Sequence, residues 1–112
     1  MSENIITTGE FVKRPNSEGV YMKHFFSSAD NDRLNNVEVK VEPGGELPAH
    51  IHSDSTEFYY VVEGTGEFLL EGKWHPIQKG YAFKAPMGVE HGVRNNGSEV
   101  LYLFSTFSPP IR

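Results

Sequence analysis

The feature that most restricts the fold of this chain is a series of short apolar and β-branched runs separated by turns rich in glycine, proline and asparagine. No segment repeats apolar residues at i, i+3, i+4 and i+7 over three turns, which is the pattern of an amphipathic helix. Residues 37–42 instead alternate apolar and charged side chains, as in a strand with one buried face. Short strands spaced about 8–12 residues apart indicate a sandwich or a barrel. We therefore predict an all-β fold, a single antiparallel β-barrel or jelly roll, since closing a sheet removes its aggregation-prone edges.

The turn residues divide the chain into a succession of predicted strands. These cover residues 20–26, 37–42, 47–52, 57–62, 66–70, 73–77, 81–85, 91–94 and 100–107. Glu71-Gly72 predicts a tight hairpin, and the sequence Asn-Asn-Gly-Ser at residues 95–98 predicts another between the last two strands. We expect an N-terminal arm over residues 1–19, one β-barrel domain over residues 20–107, and a C-terminal tail over residues 108–112.

Composition restricts the compartment and the partners. A chain of 112 residues is long enough to bury a core without covalent support, and this one contains no cysteine. A disulfide framework and a thiolate nucleophile or ligand are therefore excluded. The net charge of −5, with Lys and Arg dispersed, argues against a nucleic-acid-binding surface. No apolar run approaches the roughly 20 residues that span a bilayer, so we expect a cytoplasmic protein that binds neither nucleic acid nor membrane.

Three histidines and one glutamate form a candidate ligand set. On an extended backbone, residues i and i+2 leave the same face, so His50 and His52 would project side by side. Glu57 begins an apolar strand, where a charged group needs a partner, and His91 follows a Pro-Met-Gly turn. Three imidazoles and one carboxylate suit a divalent transition metal such as Zn, Fe, Mn, Ni or Co. The alternative is a solvated strand whose histidines are ordinary polar residues.

The glycines and prolines around these four residues complete two spaced motifs. The first consists of Gly44, His50, His52, Glu57 and Gly64, and the second of Gly80, Pro86, Gly88, His91 and Asn95. Every fixed position of both patterns is filled in order, and the chain therefore resembles the small metal-binding members of the cupin superfamily. This resemblance implies a small antiparallel β-barrel in which His50, His52, Glu57 and His91 bind one metal ion.

The resemblance identifies a site but not a reaction, because such proteins include dioxygenases, decarboxylases, isomerases and lyases as well as non-enzymatic binding proteins. Our first hypothesis is a metal-dependent enzyme acting on a small polar oxygenated molecule, for example a carbohydrate- or keto-acid-like one. Its catalytic candidates are Glu57 and the two inward-facing residues His24 and Tyr59. The alternatives are a binding or sensing barrel and a storage or structural barrel, and the complete ligand set counts against the last. Lys84 and Arg94 follow outward strand parity, so no internal basic anchor for a substrate carboxylate is evident.

The strand that begins at Glu57 carries apolar residues on both faces. If Glu57 points inward, Tyr59 does so too, which leaves Phe58, Tyr60 and Val62 outside. An apolar outer face needs a second cover, and a twofold partner is the commonest one. We therefore expect a homodimer with Phe58 and Tyr60 as its anchors, and the resemblance points the same way.

Overall fold

The computed structural model of the protein describes residues 2–112, which fold into a series of short strands. These are β1 (Val12–Lys13), β2 (Val20–His24), β3 (Asn35–Val41), β4 (Glu46–His50), β5 (Thr56–Glu63), β6 (Thr65–Leu70), β7 (Lys73–Gln78), β8 (Ala82–Ala85), β9 (His91–Arg94) and β10 (Leu101–Ser108). All predicted strands have a counterpart, and β1 is an addition inside the predicted arm. Residues 2–112 contain no helix that is long and apolar enough to cross a membrane. The division into arm, domain and tail stays a prediction, and Met1, the first residue of that arm, lies outside the described residues.

The strands form two antiparallel sheets. One sheet has the order β1-β2-β3-β10-β5-β8, and the other has the order β4-β9-β6-β7. They pack face to face, and the rings of Tyr59 on β5 and Phe68 on β6 have centroids 5.7 Å apart. The prediction of an all-β antiparallel jelly roll is confirmed, although in residues 2–112 no ladder of hydrogen bonds closes the two sheets into one barrel.

Alternating side chains build the core between the sheets. On β3, Val37, Val39 and Val41 are at most 1% exposed, whereas the residues between them are half-buried. On β10, Leu101 and Leu103 are fully buried in the same way. Burying each such side chain contributes about 1.5–3 kcal/mol relative to leaving it exposed. The alternation predicted for residues 37–42 is confirmed. Because β10 pairs directly with β3, the residues of β10 that lie opposite these valines are on the same buried face.

The hairpin predicted at residues 95–98 is wrong. β9 pairs with β4 and β6, whereas β10 pairs with β3 and β5, so the two strands lie in different sheets. The Asn95 side chain holds the crossing between them, because its Nδ2 donates to the carbonyl oxygens of Val41 at 2.9 Å and Glu99 at 2.8 Å. The other predicted hairpin is confirmed. Glu71 and Gly72 have φ values of 53° and 76°, and β6 pairs with β7 on either side of them.

Strand β5 has one buried and one exposed face, as predicted. Glu57 and Tyr59 are each 3% exposed, whereas Phe58 and Tyr60 are 47% and 49% exposed. The buried face carries a carboxylate into the space between the sheets. The exposed face is the one expected to form the homodimer, and that assembly stays a prediction.

Both ends of the chain are tied to the sandwich. β1 pairs with β2, and the N–H of Arg14 adds a further backbone hydrogen bond of 2.8 Å to that strand. In the C-terminal tail, the carbonyl oxygen of Pro109 accepts a hydrogen bond of 2.7 Å from Ser55 Oγ. The N–H of Ile111 donates to Oδ1 of Asn35, also at 2.7 Å. These contacts hold the backbone of both end segments against the sandwich.

Candidate metal centre

Four side chains converge between the two sheets. One potential ligand atom from each of His50, His52, Glu57 and His91 lies within 4.8 Å of the others. His50 ends β4, His91 begins β9, and the two residues pair directly across the four-stranded sheet. Glu57 projects from β5 in the six-stranded sheet. The structure thus brings together all four residues predicted as ligands, and this cluster could hold a metal ion.

A glycine lets the histidine-bearing strands approach closely. A Cβ added to Gly92, which follows His91, would lie 2.9 Å from the carbonyl oxygen of Leu47, so no side chain fits there. The pairing register of β4 and β9 shifts between Leu47 and His50. β4 also ends at His50, two residues earlier than predicted, and His52 lies in the following loop. The rings of His50 and His52 still lie side by side, with centroids 4.8 Å apart.

Backbone carbonyl groups orient two of the three imidazole rings. Nδ1 of His50 lies 2.7 Å from the carbonyl oxygen of Pro48, and Nδ1 of His91 lies 3.0 Å from that of Val89. Because a carbonyl oxygen can only accept, each hydrogen bond requires a proton on Nδ1 and leaves a lone pair on Nε2 of the neutral ring. Burial lowers the pKa of His50, which favours its neutral form. Both rings are therefore oriented to offer Nε2 to a metal ion.

Glu57 is a buried carboxylate with partners on both oxygen atoms. Its Oε2 accepts a short hydrogen bond from the hydroxyl group of Ser105. Its Oε1 lies 3.2 Å from Nε2 of His91 and 3.6 Å from Nε2 of His52. Burial alone would raise the pKa of Glu57, but its interactions with His52, His91, Ser105 and Tyr59 lower the value to about 2. The carboxylate is therefore ionised at neutral pH and gives the cluster a negative charge.

Two features of the cluster fit a bound cation. Nε2 of His52 is buried and has no hydrogen-bond partner within residues 2–112, a situation that costs about 1–3 kcal/mol. Nε2 of His91 faces Oε1 of Glu57 at 3.2 Å, and if the ring is neutral with its proton on Nδ1, both atoms present lone pairs. Such atoms repel each other unless a proton or a metal ion lies between them. The three imidazoles and the carboxylate therefore fit a divalent transition metal.

Of the other catalytic candidates, Tyr59 lies beside the cluster and His24 does not. Tyr59 stacks on Phe83, with ring centroids 4.6 Å apart and planes inclined by 17°. Burial, together with the charge of Glu57, raises the pKa of Tyr59 well above 10, so its phenol stays protonated. His24 ends β2 and is exposed. Strand alternation assigned it to the inner face but cannot show whether the opposite sheet covers that position.

Two adjacent spaces border the cluster. The inner cavity has a volume of about 30 Å³, and its polar lining consists of Arg14, His50, His52, Glu57, Tyr59 and Arg112. The outer groove has a volume of about 340 Å³, and its lining includes Arg14, Asn16, Pro48, His50 and Arg112. The two spaces share both arginines and His50, so they are adjacent, and we take the outer groove, which borders the cluster residue His50, as the entrance to the inner cavity.

Three polar residues of this site were not predicted from the sequence. Arg14 and Arg112 lie in the predicted arm and tail, where no periodic pattern indicates the direction of a side chain. Ser105 is fully buried on the inner face of β10, where it reaches Glu57 across 48 positions of sequence. The alternation of β10 was the available signal for Ser105, because this residue shares its parity with the buried Leu103.

Comparison with known proteins agrees with the fold. The model of the cupin domain family matches residues 37–107, which include all four cluster residues. The polyketide synthase CurC of Streptomyces cyaneus is 35% identical over 69 residues, which cover 62% of this chain and 45% of that protein. An oxalate-binding protein of Thermotoga maritima is 33% identical over 60 residues, which cover 54% of this chain and 50% of that protein.

The chain spans about half the length of these two curated relatives. A solved structure is similar to this chain over a longer stretch than these two relatives are. It belongs to a protein of Thermotoga maritima described as a predicted oxalate decarboxylase, and it superposes with a TM-score of 0.80 at 27% identity. The superposition covers 91% of this chain and 92% of that one.

Proposed function

The chain belongs to the cupin domain family, and from this membership we propose that it is a metal-dependent enzyme acting on a small polar oxygenated molecule. The proposed ligands of one divalent transition metal are His50, His52, Glu57 and His91. The observation that carries the proposal is their convergence within 4.8 Å around a buried Nε2 of His52 that lacks a hydrogen bond within residues 2–112.

When bound, a divalent metal supplies a Lewis acid that polarises an oxygen-containing group of the substrate. The protein supplies the acid and base groups around it. Tyr59 keeps its proton and lines the inner cavity, so it can donate a hydrogen bond to a substrate oxygen. Glu57 is ionised and can accept a proton when it leaves the metal. A protonated phenol beside an ionised carboxylate suits reactions with proton transfer, such as isomerisation, elimination or decarboxylation.

A second candidate function is the binding of a small oxygen-rich molecule without turnover. It is favoured by the 33% identity with the oxalate-binding protein of Thermotoga maritima. The two candidates are separated by extracting the small molecule that co-purifies with the protein and returning it to fresh metal-loaded protein. Mass spectrometry then follows its fate. Stoichiometric capture of an unchanged molecule would support binding, and conversion in many equivalents would support the enzyme.

The metal assignment is tested by elemental analysis of the purified protein. We expect about one transition-metal ion per chain in the wild type. The variant His52→Ala should lose most of it, because three protein ligands remain. The matched control is His75→Ala, which alters an exposed histidine on β7 and should retain the metal. Full metal occupancy in His52→Ala would refute the assignment.

A further inference from the structure

The inner cavity is too small to contain the proposed substrate. Its volume of about 30 Å³ compares with the roughly 10–15 Å³ that one water molecule requires. A few atoms fit there beside the cluster, and the remainder of a substrate would extend into the adjacent outer groove of about 340 Å³, which shares His50 with the inner cavity. That volume is in the range of small-molecule sites, about 300–1,000 Å³. Arg14 and Arg112 line both spaces, so they flank the path along which the substrate would extend.

We propose that Arg14 and Arg112 form an anion subsite that binds a carboxylate group of the substrate. This inference rests on the proposed function, because it assigns a second, charged end to the molecule presented to the cluster. The ligand class is a small organic acid. Its carboxylate is separate from the oxygen atoms that approach the histidines.

Arg14 is anchored and keeps donors available for a ligand. Its Nη1 donates to the carbonyl oxygen of Pro15 at 3.3 Å and to the hydroxyl group of Ser17, which is 3% exposed. A guanidinium group carries five N–H donors, and three of them belong to Nε and Nη2. This edge is the fork that binds a carboxylate through two parallel hydrogen bonds. Within residues 2–112, the ion pairs of arginine involve Arg33 and Arg94, and Arg14 pairs with no carboxylate.

Arg112 reaches the same place from the other end of the chain. The tail is held beside it, because the N–H of Ile111 donates to Oδ1 of Asn35 at 2.7 Å and Asn35 is 1% exposed. The carbonyl oxygen of Arg112 accepts a hydrogen bond from the N–H of Ser28. Arg112 is exposed, and no carboxylate within residues 2–112 forms an ion pair with its side chain. The backbone is thus fixed while the guanidinium group stays accessible to a ligand.

The charge distribution at the entrance favours an anion. The protein has a net charge of −5, yet within residues 2–112 no Asp or Glu lines the outer groove. Glu57 is the acidic residue of the inner cavity, and a bound divalent metal would outweigh its charge. Two arginines therefore make the entrance positive on an acidic protein. Lys84 and Arg94 on the strands follow outward parity, whereas the candidate anchor for a carboxylate lies in the two end segments.

The test uses cobalt-loaded protein and chelators that differ in one carboxylate. Acetohydroxamate is a small bidentate metal chelator, and the monohydroxamates of malonic and succinic acid carry the same chelating group with a carboxylate attached. Binding is followed through the visible spectrum of the cobalt ion. We expect at least one carboxylated chelator to bind about tenfold more tightly than acetohydroxamate, since a hydrogen-bonded charge pair supplies at least that factor.

The variants Arg14→Met and Arg112→Met should each remove this advantage and leave the affinity for acetohydroxamate within about twofold of the wild-type value. The control Arg33→Met alters an arginine whose side chain is 86% exposed and lines neither space, and it should keep the advantage. If Arg14→Met fails to fold, the comparison of Arg112→Met with the wild type provides the test, because Arg112 is exposed.

The possible results separate this inference from the proposed function. A carboxylate advantage that disappears in the variants and persists in the control supports the subsite. Binding of all chelators with equal affinity, or an advantage that survives in either folded variant, would overturn the subsite and leave the metal proposal intact. A cobalt spectrum that no chelator alters would overturn the proposed function and this inference with it.

Discussion

Replacing Ser105 with alanine should weaken metal binding although Ser105 is not one of the proposed ligands. Ser105 is fully buried, and its hydroxyl group donates a short hydrogen bond to Oε2 of Glu57. This bond fixes the carboxylate so that Oε1 faces Nε2 of His91 and of His52. Without it, Glu57 can rotate away from the position that a metal requires, and its buried Oε2 loses its partner.

The size of the effect follows from the chemistry of that bond. A hydrogen bond to a charged group contributes about 1.5–3 kcal/mol, and each 1.4 kcal/mol corresponds to about tenfold in affinity. Loss of a residue that orients a metal ligand typically costs about 10–100-fold in metal affinity. Both arguments predict that Ser105→Ala binds the metal about 10–100-fold more weakly than the wild type.

The assay is competition for the metal with a chromophoric chelator at neutral pH. The matched control is Ser108→Ala on the same strand, where an exposed hydroxyl group donates to the carbonyl oxygen of Arg33 at 2.9 Å. The control should bind metal like the wild type. Thermal unfolding of the metal-free variants shows whether each is folded. A folded Ser105→Ala protein with an affinity within about twofold of the wild-type value would refute the reasoning.

Three further predictions concern pH, metal removal and assembly. The pKa of Glu57 is about 2 in the folded metal-free protein, below the usual 4.5. Its contribution to the free energy of unfolding, about 3 kcal/mol, is therefore present above pH 4.5 and lost as the pH falls towards 2. Chemical unfolding between pH 2 and 7 should show this dependence, and Glu57→Gln should lack this contribution. Chelation of the metal should lower the thermal midpoint without unfolding the protein, because the core is built by the two sheets, and circular dichroism that shows an unfolded metal-free chain at room temperature would contradict this. We propose a homodimer through the exposed apolar face of β5, so sedimentation at micromolar concentration should give about twice the mass of one chain and Tyr60→Glu should give one; a monomeric wild type would contradict it.

The sequence by itself was sufficient for those features that depend on local backbone geometry. A strand turns successive side chains to opposite faces, so alternation alone predicted that Val37, Val39 and Val41 are buried and that Phe58 lies outside. Glu71-Gly72 predicted its hairpin because positive φ favours particular residues. The four cluster residues were identified because the glycines and prolines of the two motifs stand at fixed distances from them in sequence.

Only the tertiary structure decided the features that join distant segments. The turn chemistry at residues 95–98 is that of a hairpin, but β9 and β10 have their edges occupied by other strands, and the turn became a crossing between sheets. His24 has inward parity but is exposed. Alternation assigns a side chain to a face of the sheet and does not show whether another element covers that face. Ser105, Arg14 and Arg112 approach the cluster through packing between segments far apart in sequence, and no local pattern encodes such a distance. The sequence therefore determined the candidate ligands, and the packing of the sheets and chain ends decided what surrounds them.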